Sequence, residues 1–243
     1  MAKKAAARKT ARRAAKPKHK FIIIRKSKGI CEIQLNRPDV MNALNMEMAQ
    51  EIADVLVEIE MDRKILAVIL HGNERAFCAG ADLGRMGSDP ADRFDVYRAR
   101  FNHTPSRTLY RILCFYTKPV ISAVEGYCLG GGFEVAMWGD FIVSGEKGQF
   151  GLPEVRHSLI PGGGGTQNLP RMIGPALAKE LIWTGRRLSA QEAKEYRIVN
   201  HVVPAGSGFL NEGDLAHMRV FSEDRTEGLD AFAKRRTPTF KGQ

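Results

Sequence analysis

The chain alternates short runs dense in apolar and β-branched residues with longer stretches whose apolar positions recur every three or four residues. Residues 21–25 (FIIIR) and 30–35 (ICEIQL) read as two strands of an antiparallel hairpin joined by a Ser-Lys-Gly turn. Pro38 ends the second strand, since it has no ladder donor. A helix is predicted over 46–62, with Asn45 as N-cap and Met48, Ile52, Val55, Leu56 and Ile59 as its buried stripe. Residues 65–70 (ILAVIL) and 120–124 (VISAV) are continuous apolar runs, as expected of strands buried on both faces. Residues 84–104 are polar and rich in Gly, Asp and Arg at first, then helical as far as Tyr116. A short helix over 132–139, a strand over 141–144 and a helix over 176–183 follow. Ser189 and Glu192 form a capping box that opens one more helix, and a last strand covers 198–203. Strand–helix alternation after a hairpin predicts an α/β fold with parallel pairs and right-handed crossovers. No repeat of constant period is present, although βα units at irregular spacing can stack as a spiral.

Composition changes this picture at one end only. The chain has 243 residues and a formal net charge of +10. Nine of its 37 Lys and Arg residues, and none of its acids, fall within residues 1–20, leaving 28 bases against 27 acids in the rest. That segment has no large apolar residue before Phe21, so it is expected to be a disordered basic tail. A solvated arm is the plain reading, with weak binding to nucleic acid or an acidic membrane surface as an alternative. A mitochondrial transit peptide is a further alternative, although the Leu or Phe of its apolar face is missing; a secretory signal is excluded by the lack of an apolar h-region. No window approaches the ~18 apolar residues of a spanning helix. Cys31, Cys78, Cys114 and Cys128 have no CxxC spacing, so no metal site is expected and a reducing compartment is the simpler reading.

The candidate chemistry lies in two glycine-flanked turns, each directly after a buried strand: residues 76–83 (AFCAGADL) and 126–134 (GYCLGGGFE). Either turn taken alone reads as a tight connection without a ligand. Together, on neighbouring strands, they could aim two main-chain N–H groups at one oxygen, because amides in the first turn of a helix have no intrahelical acceptor. The GGG run is neither a Walker loop nor GxGxxG. Glu134 lies in the apolar run FEVAMW, where burying it requires a partner or a raised pKa, and Glu154 lies in FGLPE. An isolated Glu is usually a solvated surface charge; two holding one water between them could act as an acid–base pair. Cys78 and Cys128 beside the turns, and Met137 and Trp138, read as packing residues.

The segments AFCAGADL (76–83), GYCLGGGFEVA (126–136), QFGLPEV (149–155), IPGGGGTQ (160–167) and TGRRLSAQEA (184–193) resemble the enoyl-CoA hydratase/isomerase, or crotonase, superfamily. The resemblance runs from about residue 21 to 204 and resumes over 222–242. It implies a crotonase-like spiral of ββα units over 21–204, with a shortened helical C-terminal segment over 205–243. It implies an acyl-CoA substrate whose thioester oxygen is held by the N–H groups of Ala81 and Gly131, with Glu134 activating water and Glu154 supplying a proton to C2. Arg37, Val40, Ala79, Asp82 and Leu83 would contact the CoA or substrate. CoA would enter as part of the substrate, with no permanently bound cofactor. A homotrimer or hexamer in the cytoplasm is implied, with the mitochondrial matrix as alternative compartment. Both acids favour hydration of a 2-enoyl-CoA; a double-bond isomerase, a dehydratase of a polar acyl-CoA, and an RNA-binding or inactive homologue are the alternatives. Ser158 stands where many members have Gly, His157 beside it reads as an exposed loop residue, and Asn168 replaces a common Arg. Between residues 206 and 222 the chain is several tens of residues shorter than the family pattern.

Overall fold

The structure is a computed structural model that describes residues 18–85 and 104–205, together with Lys234, Arg236, Thr237 and Thr239. The expected tail over 1–20 and the C-terminal segment over 205–243 fall almost wholly outside the described residues, as does the polar stretch over 86–103.

The hairpin forms as β1 (Ile22–Ser27) and β2 (Ile30–Leu35), antiparallel with Ile24 opposite Ile33. Helix α1 (Met46–Glu60) follows, and the Asn45 side chain accepts the Met48 N–H at 2.9 Å, one of the four donors a helix start leaves open. Its stripe of Met48, Ile52, Val55, Leu56 and Ile59 is buried. At the other end, the Lys118 ammonium donates to the carbonyls of Ile59, Asp62 and Ile65 at 2.6, 2.7 and 2.8 Å. One cation therefore ties together the carbonyls of the helix end and the following turn, two of which also accept backbone N–H groups.

The chain then repeats a strand–strand–helix pass. It runs through β3 (Ala67–His71), β4 (Ala76–Cys78) and α2 (Pro105–Cys114), then β5 (Val120–Val124), β6 (Tyr127–Leu129) and α3 (Gly131–Met137). The third pass is β7 (Phe141–Gly145), β8 (Gln149–Gly151), a 3-10 turn over Pro153–His157, α4 (Gly165–Ile173) and α5 (Pro175–Thr184). Strand β9 (Leu188–Ser189), α6 (Ala190–Glu195) and β10 (His201–Val203) complete the described fold. The first strand of each pass joins one sheet, in the order β1-β2-β3-β5-β7-β10, parallel from β2 onward. The second strand joins the other, in the order β4-β6-β8-β9, parallel from β4 to β8. This is the spiral of ββα units. Phe77, Phe133 and Phe150 fill the core beneath the second sheet, with Phe133 edge-on to Phe150 at 5.6 Å.

Differences from the sequence expectations have local causes. Strand β3 begins at Ala67 rather than residue 65 because the Ile65 and Leu66 amides bond to Asp62 and Gly29 in a turn. Strand β10 begins at His201 rather than residue 198 because the Ile198 and Val199 amides close the end of α6 on the Ala193 carbonyl. The whole second sheet escapes a periodicity reading: its strands are two or three residues long, too short to show alternation. Helix α4 starts within a glycine run and contains Pro170, two signals that argue against a helix.

Replacing Lys118 with Met keeps most of its stem volume but removes the ammonium that bonds to all three carbonyls. We expect Lys118→Met to lower the unfolding free energy by about 2 kcal/mol, the scale of a hydrogen bond to a charged group. Urea denaturation of both proteins measures this; an unchanged midpoint would refute the role given to Lys118.

Candidate active site

The turn after β4 is zipped onto the loop that precedes α1. The Ala79 N–H donates to the Met41 carbonyl at 3.0 Å, Leu44 N–H to Gly80 at 2.7 Å, and Asp82 N–H to Leu44 at 3.0 Å. Leu44 thus takes the groups on either side of Ala81, and the Ala81 N–H points the other way. After β6, the Gly130 N–H donates to Gly151 at 2.9 Å, and the Glu134 N–H closes the first turn of α3 on the Gly130 carbonyl at 2.9 Å. The Gly131 N–H lies in that first turn, where no intrahelical acceptor exists. Neither Ala81 nor Gly131 donates to any described acceptor. The two sites adjoin: a methyl group at Gly131 would lie 3.6 Å from the Ala81 nitrogen. The approach depends on Gly132, where a methyl group would meet the Cys78 carbonyl and side chain at 2.4–2.7 Å.

The two acids reach this place from different units. Glu134, on α3, is 3% exposed, and its Oε1 accepts the N–H groups of Gly163 and Gly165 at 2.7 and 2.8 Å. Burial pushes its pKa above the usual carboxylate value, and those two donors offset part of that rise. Glu154 stands in the 3-10 turn after β8, and its Oε1 would be 3.3 Å from a methyl group at Gly130. Its Oε2 is buried with no hydrogen-bond partner among the described residues. Burial, opposed by its own backbone N–H and reinforced by the charge of Glu134, raises its pKa to about 7. One carboxyl is therefore held by two amides, and the other is poised between its neutral and charged forms.

Sequence reasoning missed Tyr110, on α2. Its hydroxyl would lie 3.3 Å from a methyl group at Gly131, and its ring packs against Gly163 beside Glu134 Oε2. Burial first, and then the charge of Glu134, push the phenol pKa upward. The only signal in the sequence was a phenol adjoining the buried positions Leu109 and Leu113.

Of the positions expected at the CoA, the structure brings Arg37, Ala79 and Asp82 together along the zipped loops. Arg37 pairs with Asp82 at 2.8 Å, donates to the Ala43 carbonyl, and lies over the Phe21 ring. Val40 and Leu83 are exposed at the same edge. Cys78 and Cys128 are fully buried, burial pushes the Cys78 thiol up to about 11, and both act as packing groups. His157 is exposed, and Ser158 adopts φ 57°, the left-handed conformation that favours glycine. The Asn168 Nδ2 is buried without a described partner. Trp138 packs against the core, as expected, but also donates its indole N–H to the Gly163 carbonyl at 2.6 Å. Among the described residues no three His, Cys, Asp or Glu side chains cluster to hold a metal ion, and no helix is long and apolar enough to cross a membrane.

A family model for enoyl-CoA hydratase/isomerase matches residues 25–213. The 2,3-dehydroadipyl-CoA hydratase of Escherichia coli K12 is 32% identical, over 91% of this chain and 99% of its own. That alignment spans 259 residues, so the relative carries residues that this chain lacks. The mitochondrial enoyl-CoA hydratase of Pongo abelii is 36% identical, over 87% of this chain and 83% of its own. Among solved structures, the enoyl-CoA hydratase of Bacillus anthracis is 33% identical with a TM-score of 0.72, covering 92% of this chain and 100% of that one. The enoyl-CoA hydratase of Mycobacterium tuberculosis H37Rv is 29% identical with a TM-score of 0.70, covering 92% and 99%.

The raised pKa of Glu154 has a checkable sign. A carboxyl whose folded pKa lies above its unfolded value stabilises the fold below the unfolded pKa, and that contribution is lost as pH rises through the folded pKa. Carbon-detected NMR of the Glu154 carboxyl is expected to titrate near pH 7, and Glu134→Gln to lower that midpoint by removing the neighbouring charge. A Glu154 midpoint near 4.5 in the wild type would contradict the environment described.

Proposed function

The chain belongs to the enoyl-CoA hydratase/isomerase family, and on that footing we propose that it adds water reversibly across the C2–C3 double bond of a 2-enoyl-CoA thioester. The observation that carries this reading is the unlike pair of carboxyls beside two unengaged amides. Isomerisation moves one proton from carbon to carbon and can be served by a single acid–base group. Hydration needs a base for water and an acid for carbon at the same moment.

In this reaction the thioester oxygen accepts the N–H groups of Ala81 and Gly131. Glu134, ionised and oriented through Oε1, takes a proton from water at its other oxygen while the water oxygen bonds to C3. The π electrons shift toward the thioester, and C2 takes a proton from neutral Glu154. Negative charge that builds on the thioester oxygen is met by two fixed donors, each typically worth about 3 kcal/mol of barrier. Their attraction grows as the charge grows, so they favour the transition state over the ground state. Turnover leaves Glu134 protonated and Glu154 ionised, and one proton passing from the first to the second restores the start. A pKa of about 7 suits Glu154 to giving a proton in one direction and taking it in the other. The acyl-CoA is the substrate, and the chemistry uses no further cofactor. Arg37, Val40, Ala79, Asp82 and Leu83, grouped at the edge of the two amides, are the proposed CoA-facing positions. Assembly as a trimer or a pair of trimers is supported by exposed apolar residues around the 3-10 turn, with Ile160 80% and Trp183 70% exposed.

Crotonyl-CoA supplies the test, followed by the absorbance of the conjugated enoyl thioester. Wild type is expected to consume it, and Glu134→Gln and Glu154→Gln each to lower kcat at least about 100-fold, the lower end of general acid–base contributions. Double-bond migration in a 3-enoyl-CoA that survives Glu134→Gln, while hydration is lost, would fit this division of roles. Hydration at the wild-type rate in Glu134→Gln would end it.

A further inference from the structure

Glu134 is oriented by a loop that has no side chains of its own to hold it. Residues 162–165 are four consecutive glycines, which can adopt many backbone conformations in isolation. Yet Gly163 and Gly165 aim their N–H groups at one oxygen, Glu134 Oε1. Between them Gly164 arches away at φ +117°. Something outside the loop must fix that arch.

We propose that Trp138 is the positioning residue for Glu134: its indole ring and N–H hold the Gly163–Gly165 arch, and the arch holds the carboxyl. Trp138 follows Glu134 by one helical turn, and its backbone N–H closes on the Glu134 carbonyl at 3.2 Å. Residues four apart share a helix face, so both side chains reach the same loop. Glu134 takes the N–H groups of the arch, and the indole N–H donates to the carbonyl of Gly163 at 2.6 Å. The ring also fills the place beside Gly164: a methyl group there would meet the indole at 2.7–2.8 Å. The three glycines are thus tied at three points to one turn of one helix. Without the indole N–H, the Gly163 carbonyl has no other described donor, and the Gly163–Gly164 peptide, which joins the two donating residues of the arch, loses its tether. The carboxyl would then lose the fixed direction from which its second oxygen faces the water. Trp138 does this without touching substrate, so its effect belongs in kcat rather than in KM.

The kinetic arm of the test rests on the proposed hydration; the structural arm does not. Trp138→Phe keeps an aromatic ring and removes the donor. It is expected to lower kcat for crotonyl-CoA about tenfold while KM stays within about twofold, the signature of misaligned rather than missing machinery. Amide hydrogen exchange at Gly163 and Gly165 is expected to quicken. Since the residue acts through Glu134, Glu134→Gln combined with Trp138→Phe should be no slower than Glu134→Gln alone. If Trp138→Phe unfolds, Trp138→Met, also without a donor but more adaptable in packing, replaces it. Wild-type kcat with unchanged exchange, or a double variant slower by the product of both effects, would overturn the assignment. A wild type that hydrates no enoyl-CoA would instead sink the hydration reading, and exchange at the two glycines would still decide the role of Trp138.

Discussion

The arrangement depends on the parallel pairing of three very short strands, β4 on β6 with a one-residue shift between Ala76 and Cys78, and β6 on β8 in continuous register. Cys78 on β4 lies opposite Cys128 on β6, which lies opposite Phe150 on β8. Two or three residues beyond the ends of these strands come Ala81, Gly131 and Glu154. Equivalent turns of successive ββα passes therefore emerge side by side from one edge of one sheet. A slip of one residue in either pairing would turn the side chains to the opposite face and separate the two amides. Strands of three residues cannot hold such a register alone. It is supported by the longer six-stranded sheet and by the Phe133–Phe150 contact below.

The electrostatics follow from that placement. Two carboxyls of the same chemistry sit close enough for the charge of one to act on the other, and burial penalises both. Two similar ionised groups in one buried site are unfavourable, so their surroundings must differ. The difference comes from the glycine arch, which supplies two N–H donors to Glu134. Glu154 has only its own backbone N–H, and one of its oxygens has no partner. The asymmetry of the pair thus originates in backbone geometry; among the described residues no cationic side chain bonds to either carboxyl.

Long elements were legible because burial repeats along them: the hairpin, α1, β5 and the capping box of α6 lie where period and caps put them. The glycine turns were legible as motifs, since close approach requires glycine and leaves it in the sequence. What stayed hidden was whatever depends on a single polar atom of a residue that otherwise reads as apolar. The Trp138 indole and the Tyr110 ring both look like core, and only the Gly163 carbonyl on the indole N–H and the nearness of the phenol to Gly131 give them a further role. Lys118 reads as a surface charge before Pro119, and its three carbonyl partners come from more than 50 residues away in the chain. Strands of the second sheet were hidden for the opposite reason, being too short for any pattern.

The Arg37–Asp82 pair shows how a charge can serve a site by giving up its freedom. Its side chains are 14% and 17% exposed, so both have lost much of their hydration. A pair in such a setting gains little over apolar replacements, but removing one partner leaves the other stranded. The pair joins residue 37, on the loop before α1, to residue 82, next to Ala81. With the Ala43 carbonyl and the Phe21 ring also on the guanidinium, the loop that carries the Ala81 amide is braced from three directions. An amide can stabilise developing charge without delay only if it need not move to do so. Because Arg37 and Asp82 neutralise each other within the fold, the pair braces the Ala81 amide while adding little net charge beside it.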